Sequence, residues 1–440
     1  MSEPVPVIGA NIISTDYPPM ISDYILLALQ ILRFLPKFAA TILNQRISAF
    51  IHKRTYKTLP TDQLKNVVVI GGSFGGYQAV KRLTETLPTG YRVILVEKNS
   101  HLNYVFAFPR FSVVKGHEQD AFIPYTGLSK GASEGIFHHV QDTATQVTER
   151  FVELKSGEKL EYAYAVIATG TSSKLPSKVA STEKENARAE LRGMQDKIQE
   201  ARRIAIVGGG AVGVELASDT KDFYPEKEVT LIHSRAQLLN TFGPRLHNHV
   251  AKTLTDMDIT LRLSERPNIA SQSKILQFAS GEEQEYDLII PCTGQRPNSA
   301  IIAALSPASI SKETSHVQVK PSLQILDDRF PQIFSLGDVA ATGGPKMARA
   351  AFFQAEVVIG NIQKLIKGKP DLSVYRPNVA FEGSIKLTLG KTRLAFYSQG
   401  NNGREMLVPS NMGHEDGDVK KQWAFFGANA KELERTKESS

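Results

Sequence analysis

Gly71-Gly72-Ser73-Phe74-Gly75-Gly76 directly follows an apolar run, Val67-Val68-Val69-Ile70. The same arrangement returns as Gly208-Gly209-Gly210-Ala211-Val212-Gly213 behind Arg203-Ile204-Ala205-Ile206-Val207. Each apolar run suits a parallel strand buried on both faces, and the glycines allow a tight turn into a helix. After the first loop, Ala79, Val80 and Leu83 recur at helical spacing. A second strand-like run, Val93-Ile94-Leu95-Val96, then ends in Glu97, about 20 residues beyond the last glycine, where an acid accepts from a ribose hydroxyl. One such fingerprint is a weak signal. Two, each in strand–turn–helix–strand context, make coincidence a poor account and point to a chain that binds two dinucleotides.

The two loops differ in one position each. Ser73 stands where the second glycine would let the backbone approach a pyrophosphate most closely, and serine obstructs that approach less than a larger side chain would. In the second unit, Val229-Thr230-Leu231-Ile232 ends not in an acid but in His233, with Ser234 and Arg235 after it. A carboxylate there would repel a 2′-phosphate, whereas these residues could accept one. The reading is use of both NADH and NADPH; the alternative is that these side chains are solvated and the cofactor is NADH. Three further segments fit the pattern: Ala165–Gly170 and Asp287–Gly294 are apolar strands ending in Thr-Gly, and Ile333–Asp338 ends in Gly-Asp before a helix-like stretch over 346–365.

Composition narrows the chemistry. At 440 residues the chain exceeds what one core supports, about 250–300 residues. Its single cysteine, Cys292, excludes a disulfide scaffold and any Cys-x-x-Cys redox pair. The net charge of +7 is mild, and without a long Lys/Arg run or aromatic–basic interleaving it argues poorly for nucleic acid. His101, His138, His139, His247 and His249 form no HxxxH or HExxH pattern, so no metal site is expected.

Residues 20–56 stand apart. The uncharged runs between Asp23 and Arg33 and between Lys37 and Arg46 are far short of a spanning helix, which needs about 20 apolar residues. Asp23, Gln30, Arg33, Lys37, Thr41, Asn44 and Ser48 make a narrow polar stripe on an otherwise apolar helix, as suits one lying in a membrane interface. Pro36 is expected to kink it or to start a second helix. His52, Lys53, Arg54 and Lys57 would meet anionic headgroups. The competing reading packs this helix on the protein's own body or on a second subunit. Ser2 excludes the glycine-dependent myristoylation signal, no charged n-region suggests a secretory signal, and Glu3, Asp16 and Asp23 fit a transit peptide poorly.

On these residues the chain resembles the two-dinucleotide-binding flavoprotein reductases. Within them it is similar to the apoptosis-inducing-factor homologues that include the ferroptosis-suppressor quinone reductases. The resemblance covers roughly 65–370 and rests on the loop at 71–76, Ile167–Gly170, Val207–Glu215, Tyr224–Ser234, Leu336-Gly337-Asp338 and Pro345–Ala348. It implies that Gly71, Gly72, Ser73, Phe74, Gly75 and Gly76 hold the FAD pyrophosphate and that Glu97, with Lys98, serves the adenosine ribose. Arg110 would approach the cofactor's phosphate or flavin side, Val140 would turn its main chain to the adenine, and Asp338 would bind the ribityl chain. Lys346 and Met347 open a helix whose positive end suits the negative charge of a reduced flavin. Gly208, Gly210, Ala211, Val212 and Gly213, with His233 and Arg235, would serve NAD(P)H. Glu215 would reach the flavin–nicotinamide contact, and the strand ends Thr169-Gly170 and Thr293-Gly294 complete the cofactor-contacting set.

The expected architecture is α/β, with two Rossmann-like dinucleotide-binding domains, the FAD domain interrupted by the NAD(P)H domain. An amphipathic helical segment (1–60) precedes the first part of the FAD domain (61–185). The NAD(P)H domain (186–297), the second part of the FAD domain (298–370) and a small α+β C-terminal region (371–440) with a charged tail follow. The expected activity is an oxidoreductase passing hydride from NAD(P)H to FAD and electrons to a quinone-type acceptor, with no catalytic side chain of its own. Its expected place is cytoplasmic and peripheral on a membrane such as a lipid droplet, the plasma membrane or the mitochondrial outer surface, and a homo-oligomer is compatible with it. The rivals are an NAD(P)H oxidase using O₂ and a redox-sensing interaction protein with structural FAD.

Overall fold

The computed structural model describes residues 21–269 and 273–429. The expectations for Ser2, Glu3 and Asp16 and for the charged tail beyond Asn429 lie outside the described residues.

Two parallel sheets organise the chain. The first has five strands in the order Ile333–Ser335, Tyr164–Ile167, Lys65–Ile70, Tyr91–Val96, Phe137–Val140, all parallel. The side-chain period of two explains why its strands are apolar throughout. Val67, Val69, Val93, Leu95, Val166 and Phe334 pack into one core layer, while Val68, Ile70, Ile94, Val96, Ala165, Ile167 and Ile333 pack into the opposite one. Helices Phe74–Thr84 and Ala348–Ile366 cover the first face. An antiparallel meander, Ala144–Val147, Phe151–Leu154 and Lys159–Glu161, covers the other. Burying each such Val, Leu or Ile contributes about 1.5–3 kcal/mol.

The second sheet repeats the plan in the order Thr260–Leu263, Glu228–His233, Arg203–Val207, Leu288–Pro291, again parallel. Ile204, Ile206, Val229, Leu231 and Ile290 face one core; Ala205, Val207 and Ile232 face Leu276, Phe278 and Tyr286 from a small antiparallel sheet. Because Ile333–Ser335 returns to the first sheet, the second is inserted within its sequence. Helix Lys184–Glu200 leads into the insertion. Thr171-Ser172 and Arg296-Pro297, the two crossings between the sheets, pair antiparallel. A three-stranded antiparallel sheet, Ile385–Leu389, Arg393–Gln399 and Glu405–Ser410, follows near the C-terminus.

Helix Ile21–Thr55 runs through Pro36 without giving way to a second helix. It is fastened by its edge. Asp23, 1% exposed, pairs with Arg245 at 2.7 Å, Gln45 donates to Glu356 at 3.3 Å, and the His52 ring meets the Leu87 carbonyl at 2.6 Å. The docked edge is mixed: Asp23, Gln45 and His52 lie beside the half-buried Leu26, Leu27, Ile42 and Ala49, while Thr41, Asn44 and Ser48 of the expected polar stripe are exposed, as are Ile25, Leu29, Leu32, Leu43, Ile47 and Phe50. No described helix is long and apolar enough to cross a membrane.

Candidate dinucleotide-binding sites

Both glycine loops are built by the same backbone constraints. Gly71 has φ +101°, and a Cβ there would lie 2.4 Å from the Ala168 oxygen. Gly208 has φ +133°, with the Cys292 oxygen at 2.6 Å from such a Cβ. A Cβ on Gly76 would stand 1.8 Å from the Gly71 oxygen, and one on Gly213 would stand 1.8 Å from that of Gly208. These four positions are closed to any other residue, because backbone meets backbone. At the position between them the protein leaves space: a Cβ on Gly210 meets nothing within 4 Å, and Ser73, its counterpart, is exposed. Ser73 and Gly210 are the N-caps of helices Phe74–Thr84 and Ala211–Phe223, so both openings face helix N-termini, as binding of a pyrophosphate requires. Ala211 and Val212 form the first turn of the second helix.

Glu97 is 7% exposed. Its Oε2 accepts from the Gly72 amide at 2.6 Å; its Oε1 accepts from the Asn99 amide at 2.9 Å and side chain at 2.7 Å. Burial raises its pKa above the usual carboxylate value, against the opposing pull of those bonds. The Val140 carbonyl accepts from the Glu97 amide at 3.1 Å, which brings the expected adenine contact beside the acid. Lys98 points outward.

His233 fills the place of Glu97 in the second unit. Its Nδ1 accepts from the Gly209 amide at 3.1 Å, so in the neutral ring the proton sits on Nε2. Burial and then Arg235 hold its pKa below the ordinary value, which favours that neutral form. Ser234 and Arg235 are exposed beside it.

Thr169-Gly170 and Thr293-Gly294 lie just beyond strands Tyr164–Ile167 and Leu288–Pro291, and Asn298 ties the first pair down. Thr169 Oγ1 donates to the Asn298 carbonyl at 2.8 Å, the Asn298 side chain returns a bond to the Thr169 carbonyl at 2.9 Å, and its amide donates to Gly170 at 2.9 Å. Thr293 packs where a Cβ on Gly208 would fall, and Gly294 takes φ +88°. Asp338 is the middle residue of the short turn Gly337–Val339 behind strand Ile333–Ser335, and it is half-buried. Lys346 lies within electrostatic reach of it and donates to the Ala340 carbonyl. Met347 is the N-cap of helix Ala348–Ile366.

Arg110 is held within the protein by several partners. Its Nε pairs with Asp219 at 2.8 Å, and its other nitrogens donate to the carbonyls of Gly390, His414 and Glu415 at 2.7, 3.3 and 3.4 Å. The reason is the burial of Asp219, at 0% exposure, on helix Ala211–Phe223. A carboxylate in that position needs a cation, and the guanidinium supplies it across the two units. Burial still raises the Asp219 pKa to about 6, against the pull of Arg110.

Glu215 lies one turn earlier. Its carboxylate accepts from the amide and hydroxyl of Thr388, each at 3.1 Å. Burial, reinforced by Asp219 and opposed by the Thr388 bonds, raises its pKa to about 7. It lies within electrostatic reach of Tyr104, whose ring meets Phe74 edge-on at 6.2 Å, so Glu215 stands near the junction with the first glycine loop. Asp219 and Thr388 were not marked by any sequence pattern; Asp219 sits four residues after Glu215, a helical spacing that would have put both on one face.

Cys292 directly follows strand Leu288–Pro291 and is half-buried; the surroundings of its thiol push its pKa up to about 12 by desolvation. Among the described residues no metal-ligating cluster occurs.

The residues present fit FAD and NAD(P)H: two closed glycine turns, each leaving space at a helix N-terminus, and a half-buried carboxylate at Asp338. Bound FAD supplies the hydride-accepting and electron-transferring chemistry.

Comparison with known proteins agrees. The sequence matches the pyridine nucleotide-disulphide oxidoreductase family over residues 65–355. It is 33% identical to Fe-regulated protein 8 of Mycosarcoma maydis over 404 residues, 86% of this chain and 98% of that one. It is 30% identical to ferroptosis suppressor protein 1 of Taeniopygia guttata over 381 residues, 80% and 99% of the two chains. The fold is similar to the sulfide:quinone oxidoreductase of Aquifex aeolicus, with TM-score 0.66 and 19% identity over 82% of this chain and 90% of that one. The chain thus belongs to the pyridine nucleotide-disulphide oxidoreductase family and is an FAD-dependent NAD(P)H oxidoreductase.

Proposed function

We propose that the loop at Gly71–Gly76 holds FAD, that the loop at Gly208–Gly213 holds NADH or NADPH, and that electrons pass to a quinone-type acceptor at a membrane surface. The observation that carries the acceptor is an aromatic path from the first glycine loop to the outside. Phe74, the first residue of the loop's helix, packs against Phe106 at 5.0 Å and Phe352 at 6.5 Å. Phe352 meets Phe425 at 5.7 Å, and Phe106 and Phe425 are 52% and 57% exposed. Such a path suits a planar apolar ring, since aromatic faces stack and apolar walls exclude water.

A disulfide acceptor fits poorly. Cys292 is the only cysteine, and burial disfavours its thiolate. Similarity to proteins named ferroptosis suppressor protein 1 and sulfide:quinone oxidoreductase supports the quinone reading. The exposed apolar face of helix Ile21–Thr55, flanked by Arg46, Lys53, Arg54 and Lys57, supports a lipid surface.

In this reading the chain's own residues position and shield. Glu97 and the amides of the first loop orient the adenosine half, and Asp338 fixes the ribityl chain. The N-terminus of helix Ala348–Ile366, opened by Lys346 and Met347, stabilises negative charge on the flavin's pyrimidine side. Glu215, with its pKa near neutrality, can hold a proton at its carboxylate beside the junction. NADH turnover under argon with a soluble quinone, compared with turnover in air without it, tests the reading. Fast anaerobic quinone reduction supports it; consumption of NADH only in air makes the protein an oxidase, and neither makes its FAD structural.

A further inference from the structure

Helix Ile21–Thr55 ends against the first nucleotide unit and closes one wall of a cleft of about 100 Å³. The other walls are the last turn of helix Phe74–Thr84 and the loop 127–133. Each wall contributes a lysine: Lys53, Lys81 and Lys130. All three are exposed, and none of their ammonium groups makes an ion pair or hydrogen bond among the described residues. Their neighbours are already engaged. Among the described residues lining the cleft, Glu85 is the one carboxylate, and it pairs with Arg82. The His52 ring is taken by the Leu87 carbonyl at 2.6 Å. Ser133, on the loop wall, keeps a hydroxyl with no hydrogen-bond partner.

Three cations around one cleft repel one another unless an anion lies between them. Lys53 and Lys81 stand in the last turns of their helices, where the helix dipole favours a cation without any partner side chain. Their ammonium groups are therefore free to serve a ligand. A phosphomonoester, with about 1.5–2 negative charges near neutral pH, matches this surplus better than a singly charged diester. The surroundings select a lipid as its carrier. Leu43, Ile47 and Phe50 are exposed at helical spacing, and one further turn of that stripe reaches Lys53. The apolar face thus ends at the rim of the cleft. A headgroup seated there would leave its acyl chains beside that face, whereas a soluble phosphate ester would gain nothing from it.

We propose that this cleft binds the phosphomonoester headgroup of an anionic membrane lipid, with Lys53, Lys81 and Lys130 as its ligands. The proposal rests on the reading that helix Ile21–Thr55 lies on a lipid surface. It adds a choice among anionic lipids that a uniformly basic face would not make.

The test sediments the full-length, flavin-loaded protein with phosphatidylcholine vesicles of two kinds. One carries phosphatidic acid, a phosphomonoester; the other carries enough phosphatidylserine, a diester, to match its surface charge. Wild type should bind the first about tenfold more tightly. Lys81→Gln with Lys130→Gln should bring that ratio close to one, and Lys81→Arg with Lys130→Arg should keep most of it. Both positions lie off the helix, so its apolar face is untouched, and both double variants should retain flavin and reduce a water-soluble quinone as wild type does. A wild-type ratio near one, or a ratio that survives the glutamine changes, overturns the proposal and leaves the membrane reading standing. Failure of wild type to pellet with either vesicle overturns the membrane reading and the proposal with it. Glycerol 3-phosphate bound as tightly as the phosphatidic acid vesicle would overturn the lipid assignment in favour of a soluble ester.

Discussion

His233 accepts the amide hydrogen of Gly209 at 3.1 Å, the bond that Glu97 accepts from Gly72 at 2.6 Å in the other nucleotide loop. One local task, capping the second amide of the turn, is thus done by a neutral ring in one unit and by a carboxylate in the other. In the proposed arrangement this difference falls where a nicotinamide dinucleotide would present either a 2′-hydroxyl or a 2′-phosphate.

His233→Glu should therefore keep the turn and change the cofactor. The new carboxylate can still accept from Gly209, but it repels a 2′-phosphate. We expect KM for NADPH to rise about tenfold or more while KM for NADH changes little. Steady-state kinetics with the two cofactors measures this directly. Equal losses for both would show that His233 acts only on the fold.

Gly210→Val and Gly213→Ala should part company. A Cβ on Gly210 meets nothing within 4 Å, so the valine variant should fold and retain its flavin, yet resist reduction by NAD(P)H because the side chain fills the pyrophosphate space. Gly213→Ala drives a Cβ to 1.8 Å from the Gly208 oxygen and should fail to accumulate as folded protein. Visible spectra of purified protein, before and after NADH, distinguish the two. Loss of flavin from Gly210→Val would assign the loops to the wrong cofactors.

How much of this was legible in the sequence depends on how local each cause is. The turns at Gly71 and Gly208 and the strands around them follow from short-range rules, so residue order alone shows them. Glu97 was legible for the same reason, since a βαβ unit fixes where its second strand ends. The ion pair of Arg110 with Asp219 was not, because it joins segments far apart in sequence and neither residue carries a motif. Asp23 was read as part of a polar stripe. Its partner Arg245 comes from the inserted sheet, and only the folded chain brings the two to 2.7 Å.

Arg110→Met should destabilise the protein by about 3–5 kcal/mol, since it leaves the Asp219 carboxylate buried without its cation. The sign of its pH dependence follows from the raised pKa of Asp219, about 6 with the guanidinium present and higher without it. The folded variant then binds a proton that the unfolded chain has released, so the loss grows as pH rises above about 4. Combining Arg110→Met with Asp219→Leu should recover most of the stability. Urea unfolding at pH 5 and pH 8 checks both statements; a loss independent of pH and unrelieved by the second change would contradict them.

Leu43→Glu with Ile47→Glu should abolish sedimentation with anionic vesicles. Both side chains are exposed on the outer face of helix Ile21–Thr55, away from the docked edge, so folding and reduction of a water-soluble quinone should be unaffected. Wild-type binding should weaken only in part with salt, because apolar burial is not screened. Equal pelleting of both proteins, or a change of oligomeric state in the variant, would mean that this face packs against protein.

The account's central claim is that hydride from NAD(P)H reaches a bound flavin and leaves it as electrons for a quinone. Anaerobic stopped-flow absorbance of the purified protein tests it most directly. NADH should bleach the flavin spectrum within the time of one steady-state turnover, and a soluble quinone added in a second mix should restore it at least as fast. A flavin that bleaches but is restored only when oxygen is admitted, or a protein that carries no flavin, would contradict it.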